Sequence, residues 1–169
     1  VKESYVIVDG KIVASYKAGE YSTYTWTEET VTIKRYEGTW TGEANEEELV
    51  EIMVYQHGDV TDNLDTATNG WRIESKTGYE DVLDDEGNVI GVVEVVTTYA
   101  WAEETVTLTV TRDGVRSQEL VYEHNDDFAN IDTRVNDWVM TGMTDYNPDG
   151  TVKESYVIVD GKIVASYKA

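Results

Sequence analysis

The chain contains no cysteine. No disulfide can staple it, and no zinc site can be built on thiolates. Basic residues are scarce as well: 13 Lys and Arg stand against 34 Asp and Glu, for a formal charge of −21. So acidic a chain is repelled by phosphate backbones, which argues against nucleic-acid partners. It is repelled equally by an anionic membrane surface. No run of 18 apolar residues occurs, so no transmembrane helix is expected. No signal peptide is visible at the start either, and in a piece of a longer array none is expected. Histidine is limited to His57 and His124. There is no Ser–His–Asp order, phosphate loop, dinucleotide fingerprint or HExxH motif, so no enzyme activity is expected. Adjacent carboxylates such as Glu28-Glu29 and Glu103-Glu104 sit in strand-like sequence. They would point to opposite faces and share no site.

What the chain does have is repetition. Residues 1–18, VKESYVIVDGKIVASYKA, recur letter for letter at 152–169, which sets a period of 151 residues. A second, diverged repeat lies inside that period. TYTWTEETVTIK at 23–34 matches TYAWAEETVTLT at 98–109 in 8 of 12 positions. HGDVTDNLDTATNGW at 57–71 matches HNDDFANIDTRVNDW at 124–138 in 7 of 15. The chain therefore reads as module A (1–78), module B (79–151) and the opening of a further copy (152–169). Self-similarity of this kind marks tandem arrays. Modules of about 75 residues bury only about 60% of their unfolded surface, so they should lean on one another or share strands.

The local pattern is β almost throughout. In SYVIVDGKIVASYK two alternating apolar runs flank Asp9-Gly10. Asp-Gly so placed is a strong hairpin signal, because both central residues need positive φ. Asp113-Gly114 marks another turn, and Asn147-Pro148-Asp149-Gly150, which holds the single proline, a third. Residues 43–48 read as an inserted loop or one helical turn capped by Asn45, with strand from Leu49 onward. The expected fold class is all-β: two small sandwich-like modules in tandem, elongated, with a duplicated terminal hairpin.

Aromatic chemistry is carried by 12 Tyr and 5 Trp against one Phe. The duplicated Trp26/Trp101 and Trp71/Trp138 should be core residues. Trp40 has no counterpart in module B and is the candidate for an exposed, glycan-stacking ring. The oxygen-rich set Asp59, Asn63 and Asp65 recurs as Asp126, Asn130 and Asp132. Such side chains either scaffold turns or ligate Ca²⁺, which takes six to eight oxygens. The acidic stretch at 84–88 offers the same two readings. Each histidine is expected to bond locally rather than form a site.

The long near-identical period, the acidic Thr/Asp/Asn-rich β composition and the lack of cysteine resemble the extender repeats of giant bacterial surface adhesins and biofilm matrix proteins. The resemblance is one of composition and architecture across the whole chain. It implies a structural repeat of an extracellular or cell-surface fibre, joined to neighbouring copies of itself and rigidified by Ca²⁺. On that reading Tyr5, Ile7, Ile12 and Tyr16, with their copies Tyr156, Ile158, Ile163 and Tyr167, form the contacts between repeats. The alternatives are a carbohydrate-binding β module and a protein engineered for strand exchange.

Overall fold

A computed structural model describes residues 2–57, 72–124 and 138–169. The described residues fold into twelve strands. They are β1 (Ser4–Val8), β2 (Lys11–Lys17), β3 (Glu20–Trp26), β4 (Thr30–Glu37), β5 (Leu49–Gln56), β6 (Arg72–Leu83), β7 (Val89–Trp101), β8 (Thr105–Arg112), β9 (Val115–Glu123), β10 (Val139–Tyr146), β11 (Val152–Val159) and β12 (Lys162–Lys168). Every strand pairs antiparallel with its neighbours in the chain, so the order in the sheet is the order in the sequence. Antiparallel neighbours can be joined by a tight turn, and β1–β2, β8–β9 and β11–β12 each are, by two residues.

The turns follow from the residues. Asp9 and Gly10 have φ of 51° and 78°, Asp113 and Gly114 47° and 79°, Asp160 and Gly161 52° and 74°. Both positions lie in the left-handed region, as the Asp-Gly pairs predict. At 147–150 the Gly150 amide donates to the Asn147 carbonyl at 2.9 Å. The insertion after β4 forms one 3₁₀ turn, Glu46–Glu48, and the Asn45 side chain accepts from the Glu47 amide. Strand resumes at Leu49, as expected.

The all-β expectation holds; the sandwich-like modules do not appear in the strand pairing. One continuous twelve-stranded sheet runs through the described residues. The division drawn at 78/79 falls inside β6. Alternation reports which side chains share a face, not whether a sheet ends, and the ladder simply continues across the boundary.

The larger core cluster lies on one face. Val31, Tyr55 and Ile73, on β4, β5 and β6, are fully or nearly fully buried, with Tyr24, Trp26, Ile33, Met53, Tyr99 and Trp101 packed around them. Cross-strand pairing builds this group: Trp26 opposes Val31, Val31 opposes Tyr55, and Tyr55 opposes Ile73. Module B repeats it, with Trp101 opposite Val106 and Val106 opposite Tyr122. Burial of Val31 and Val106 is complete, both at 0% exposure, which fits their equivalent places in the duplicated motif.

The opposite face carries a cluster of its own in module A. The Tyr21 and Tyr36 rings stack with centroids 4.7 Å apart. Their hydroxyls donate to Glu48 Oε2 at 2.8 Å and Glu46 Oε1 at 3.0 Å. The Glu48 carboxylate lies where a Cβ on residue 38 would be, so a side chain at Gly38 would push it away from Tyr21. The inserted residues thus satisfy two buried hydroxyls. Module B has Val96 and Thr111 at the matching positions and closes β8–β9 with Asp113-Gly114 alone.

Candidate assembly interface

The two identical segments sit at opposite edges of the sheet, as β1–β2 and β11–β12. Their internal registers are the same. Tyr5 opposes Ser15 as Tyr156 opposes Ser166, and a bulge follows Val6 as one follows Val157. What differs is the edge by which each is attached. The first copy is held through β2, whose Ala14, Ser15, Tyr16 and Lys17 oppose Thr23, Ser22, Tyr21 and Glu20 of β3. The second is held through β11, whose Tyr156, Ser155 and Glu154 oppose Met143, Thr144 and Asp145 of β10.

Burial follows attachment. Ala14 and Ser15 are 1% and 2% exposed, whereas every residue of β12 is exposed. Tyr167 reaches 65% exposure and Ile163 52%. In the first copy the outer strand β1 is the bare one, with Tyr5 at 49% and Ile7 at 62%. Of the residues expected at the contacts, Tyr5, Ile7, Ile163 and Tyr167 are exposed, while Ile12, Tyr16, Tyr156 and Ile158 are half-buried.

Specific polar bonds fasten each attached edge. On β3, Trp26 Nε1 donates to the Ile12 carbonyl at 2.7 Å, and Lys17 Nζ lies 2.8 Å from Glu20 Oε1. The Ser15 and Tyr24 hydroxyls are 3.0 Å apart. On β10, the Tyr156 hydroxyl donates to Asp145 Oδ2 at 2.7 Å, and Gln118 Nε2 donates to Asp145 Oδ1 at 2.9 Å. Its bond to Asp145, before burial and the nearby carboxylate charges, pushes the Tyr156 phenol up to about 12. Neither Asp145 nor the Trp26–Ile12 bond was foreseen. Asp145 did leave a signal: the matching position of module A is Gly78, so a charge appears only where β10 meets β11.

The Trp26 bond is itself repeated, since Trp101 Nε1 donates to the Ile73 carbonyl at 2.7 Å. Ile12 and Ile73 each follow a basic residue, Lys11 and Arg72. β2 and β6 therefore play the same part, each receiving the indole of the next strand. Trp26, Trp101 and Trp138 are half-buried rather than fully enclosed. In Trp26 and Trp101 the indole reaches for a carbonyl on the adjacent strand and keeps one edge near the surface, whereas Trp138 packs edge-on against Trp101 with ring centroids 5.4 Å apart. Trp71 lies outside the described residues.

The remaining candidates divide. Asp59, Asn63, Asp65, Asp126, Asn130 and Asp132 all lie outside the described residues. Among the described residues no group of three or more His, Asp or Glu is arranged to hold a metal ion. At 84–88 the carboxylate of Asp84 accepts the Asn88 and Glu86 amides at 2.8 and 2.9 Å. These bonds, the Asn88 amide foremost, hold it below the usual carboxylate range and make it a turn scaffold. His57 Nε2 donates to the Thr27 carbonyl at 3.0 Å. His124 Nε2 lies 3.1 Å from the carbonyls of both Ala102 and Thr105. Each histidine thus bonds the turn next to it, as expected. Trp40 is not the exposed platform expected of it. It is half-buried, tilted on Tyr21 at 5.4 Å and stacked near Tyr16 at 6.4 Å. The inserted loop that carries Trp40 folds back over the tyrosines instead of standing clear.

No protein-family model matches the chain, and no curated protein or solved structure shows significant similarity to it.

Proposed function

We propose that the chain is a structural repeat unit of a long extracellular fibre or adhesin stalk, in which each period prolongs the sheet of the one before. One observation carries this reading. The 18-residue segment is seen paired along both of its edges, once in each copy: to β3 through β2, and to β10 through β11. In an array of 151-residue periods every internal copy has both partners at once. The succession β10, hairpin, β3 then forms one unbroken ladder, and neither edge is left bare.

The period contributes ten strands, β1 to β10. At a spacing of about 4.8 Å per strand, each period lengthens the sheet by about 48 Å. That suits a protein that projects or connects, and the acidic surface keeps such a fibre soluble. The extracellular setting rests on the resemblance to adhesin extender repeats. Ca²⁺, if bound, would act at the Asp/Asn-rich segments 58–71 and 125–137. The role is mechanical, not catalytic.

The test is a chain of two full periods ending in the same 18 residues. Small-angle scattering should show the long dimension growing by about 48 Å over that of the 169-residue chain. A two-period chain that thickens at unchanged length would overturn the reading.

A further inference from the structure

β12 presents a bare edge and β3 a covered one, and the strand covering β3 has the same sequence as β12. From this we infer that the 152–169 segment of one molecule can replace residues 1–18 of a second copy, pairing with β3 (Glu20–Trp26) in the register that β2 uses. The inference rests on the fibre reading only in taking the β2–β3 register as the junction between periods.

The partner is specified residue by residue. β2 opposes β3 through Ala14–Thr23, Ser15–Ser22, Tyr16–Tyr21 and Lys17–Glu20. Ala165, Ser166, Tyr167 and Lys168 are the same residues in the same order. They therefore meet Thr23, Ser22, Tyr21 and Glu20 of the second copy. The Ile163 carbonyl takes the place of the Ile12 carbonyl as acceptor for Trp26 Nε1, which in the first copy lies at 2.7 Å. Tyr167, 65% exposed, takes the half-buried place of Tyr16 beside Trp40. A bare edge with unpaired amides and carbonyls is a template for added strand, and here the template has a cognate partner within the same protein.

The two competing segments make equal contacts, so concentration decides between them. Residues 1–18 are joined to β3 by a tight turn and enjoy an effective concentration of millimolar order or above. Exchange therefore grows as protein concentration approaches that range, or when the first copy alone is weakened. The donor edge and the receiving strand belong to different ends of the sheet. The contact is head to tail, and it propagates into open chains rather than closed dimers.

The absence of cysteine makes a clean test. The variant Glu20→Cys/Lys168→Cys is oxidised at high protein concentration, and its disulfides are mapped by mass spectrometry. Within one molecule the two sites lie nine strand spacings apart, about 43 Å along the sheet, far beyond disulfide reach. Exchange predicts intermolecular 20–168 links in at least tenfold excess over 20–20 and 168–168 links. A second pair of variants sets the direction. Ala14→Glu weakens the acceptor's own hairpin and should raise the mass measured by light scattering. Adding Ala165→Glu disables the donor and should return it to monomer. A dominant 168–168 link would mean edge-to-edge pairing of β12 strands, and growth in mass without a 20–168 link would mean pairing at β1. Either result, a random mixture of links, or no link at all overturns the inference. None of these touches the scattering test, which reads continuation within one chain.

Discussion

Two stretches of this protein have the same 18 residues and opposite environments. In 1–18 the inner strand β2 is partly buried, and Ala14 and Ser15 are almost fully covered; the outer strand β1 is bare. In 152–169 the inner strand is β11 and the bare one is β12. Sequence gives both copies the same turn, the same bulge and the same internal register. It does not decide which edge is used, because both edges of the hairpin are adhesive. Tertiary context decides: one copy is followed by β3, the other is preceded by β10. This hairpin can pair through either edge, and each copy shows one of the two in use.

Charge insertion should separate the copies most sharply. Ala14→Glu places a carboxylate in a site with 1% exposure, at a cost of about 3 kcal/mol from overpacking and desolvation. Ala165→Glu on exposed β12 should stay within about 0.5 kcal/mol. Urea denaturation at micromolar concentration compares them. Equal losses would mean that β12 is covered in solution by something other than a second chain.

The modules can be compared through the segments 58–71 and 125–137, which repeat the Asp/Asn spacing. If both bind Ca²⁺, linkage adds about 2.7 kcal/mol per site at a hundredfold excess over Kd. Chelation should then lower the melting temperature measurably, and Asp65→Asn or Asp132→Asn should remove part of that response. A melting curve indifferent to chelator would remove Ca²⁺ binding from the account of these segments.

A smaller effect is expected from Trp26→Phe, which deletes the bond to the Ile12 carbonyl while keeping a ring. The expected cost is about 1 kcal/mol. Amide exchange should quicken in β1–β2 and stay unchanged in β11–β12. Trp101→Phe should act likewise between β6 and β7, and unequal effects would break the equivalence of β2 and β6.

The subtlest contrast is between Tyr5 and Tyr156. Both phenols are raised: Tyr5 by its bond to Glu3, and Tyr156 to about 12, first by its bond to Asp145. A phenol raised in the folded state favours folding fully below its unfolded pKa, near 10. That contribution is lost as pH rises from about 10 through about 12. Asp145→Asn should shift the Tyr156 phase of the phenolate absorbance titration, near pH 12, to lower pH, and Tyr156→Phe should delete it. Tyr5→Phe should leave that phase in place.

Much of this was legible in the residues. Asp-Gly pairs announced three hairpins, and Asn45 announced the helical turn. The duplicated Trp motif located the strands of the core, since the indole, the valine it opposes and the histidine beside it recur together. Three things were not legible. Alternation is the same in a sandwich and in an open meander, so the single sheet was missed. Trp40 stood in a glycine-rich turn, but its exposure depended on Glu46 and Glu48 drawing the insertion onto Tyr21 and Tyr36. Asp145 was overlooked because its importance lies in a partner strand, β11, rather than in its own neighbours.

The central claim is that the bare edge of β12 is the place where the next β3 belongs. Amide exchange followed by NMR tests it most directly, since mass spectrometry cannot tell peptides of the two identical copies apart. In the 169-residue chain the amides of Ala14 and Ser15 should be more protected than those of Ala165 and Ser166. In a two-period chain, Ala165 and Ser166 should become as protected as Ala14 and Ser15. If they still exchange as freely as in the single period, the hairpin is not the connector between repeats and the account fails.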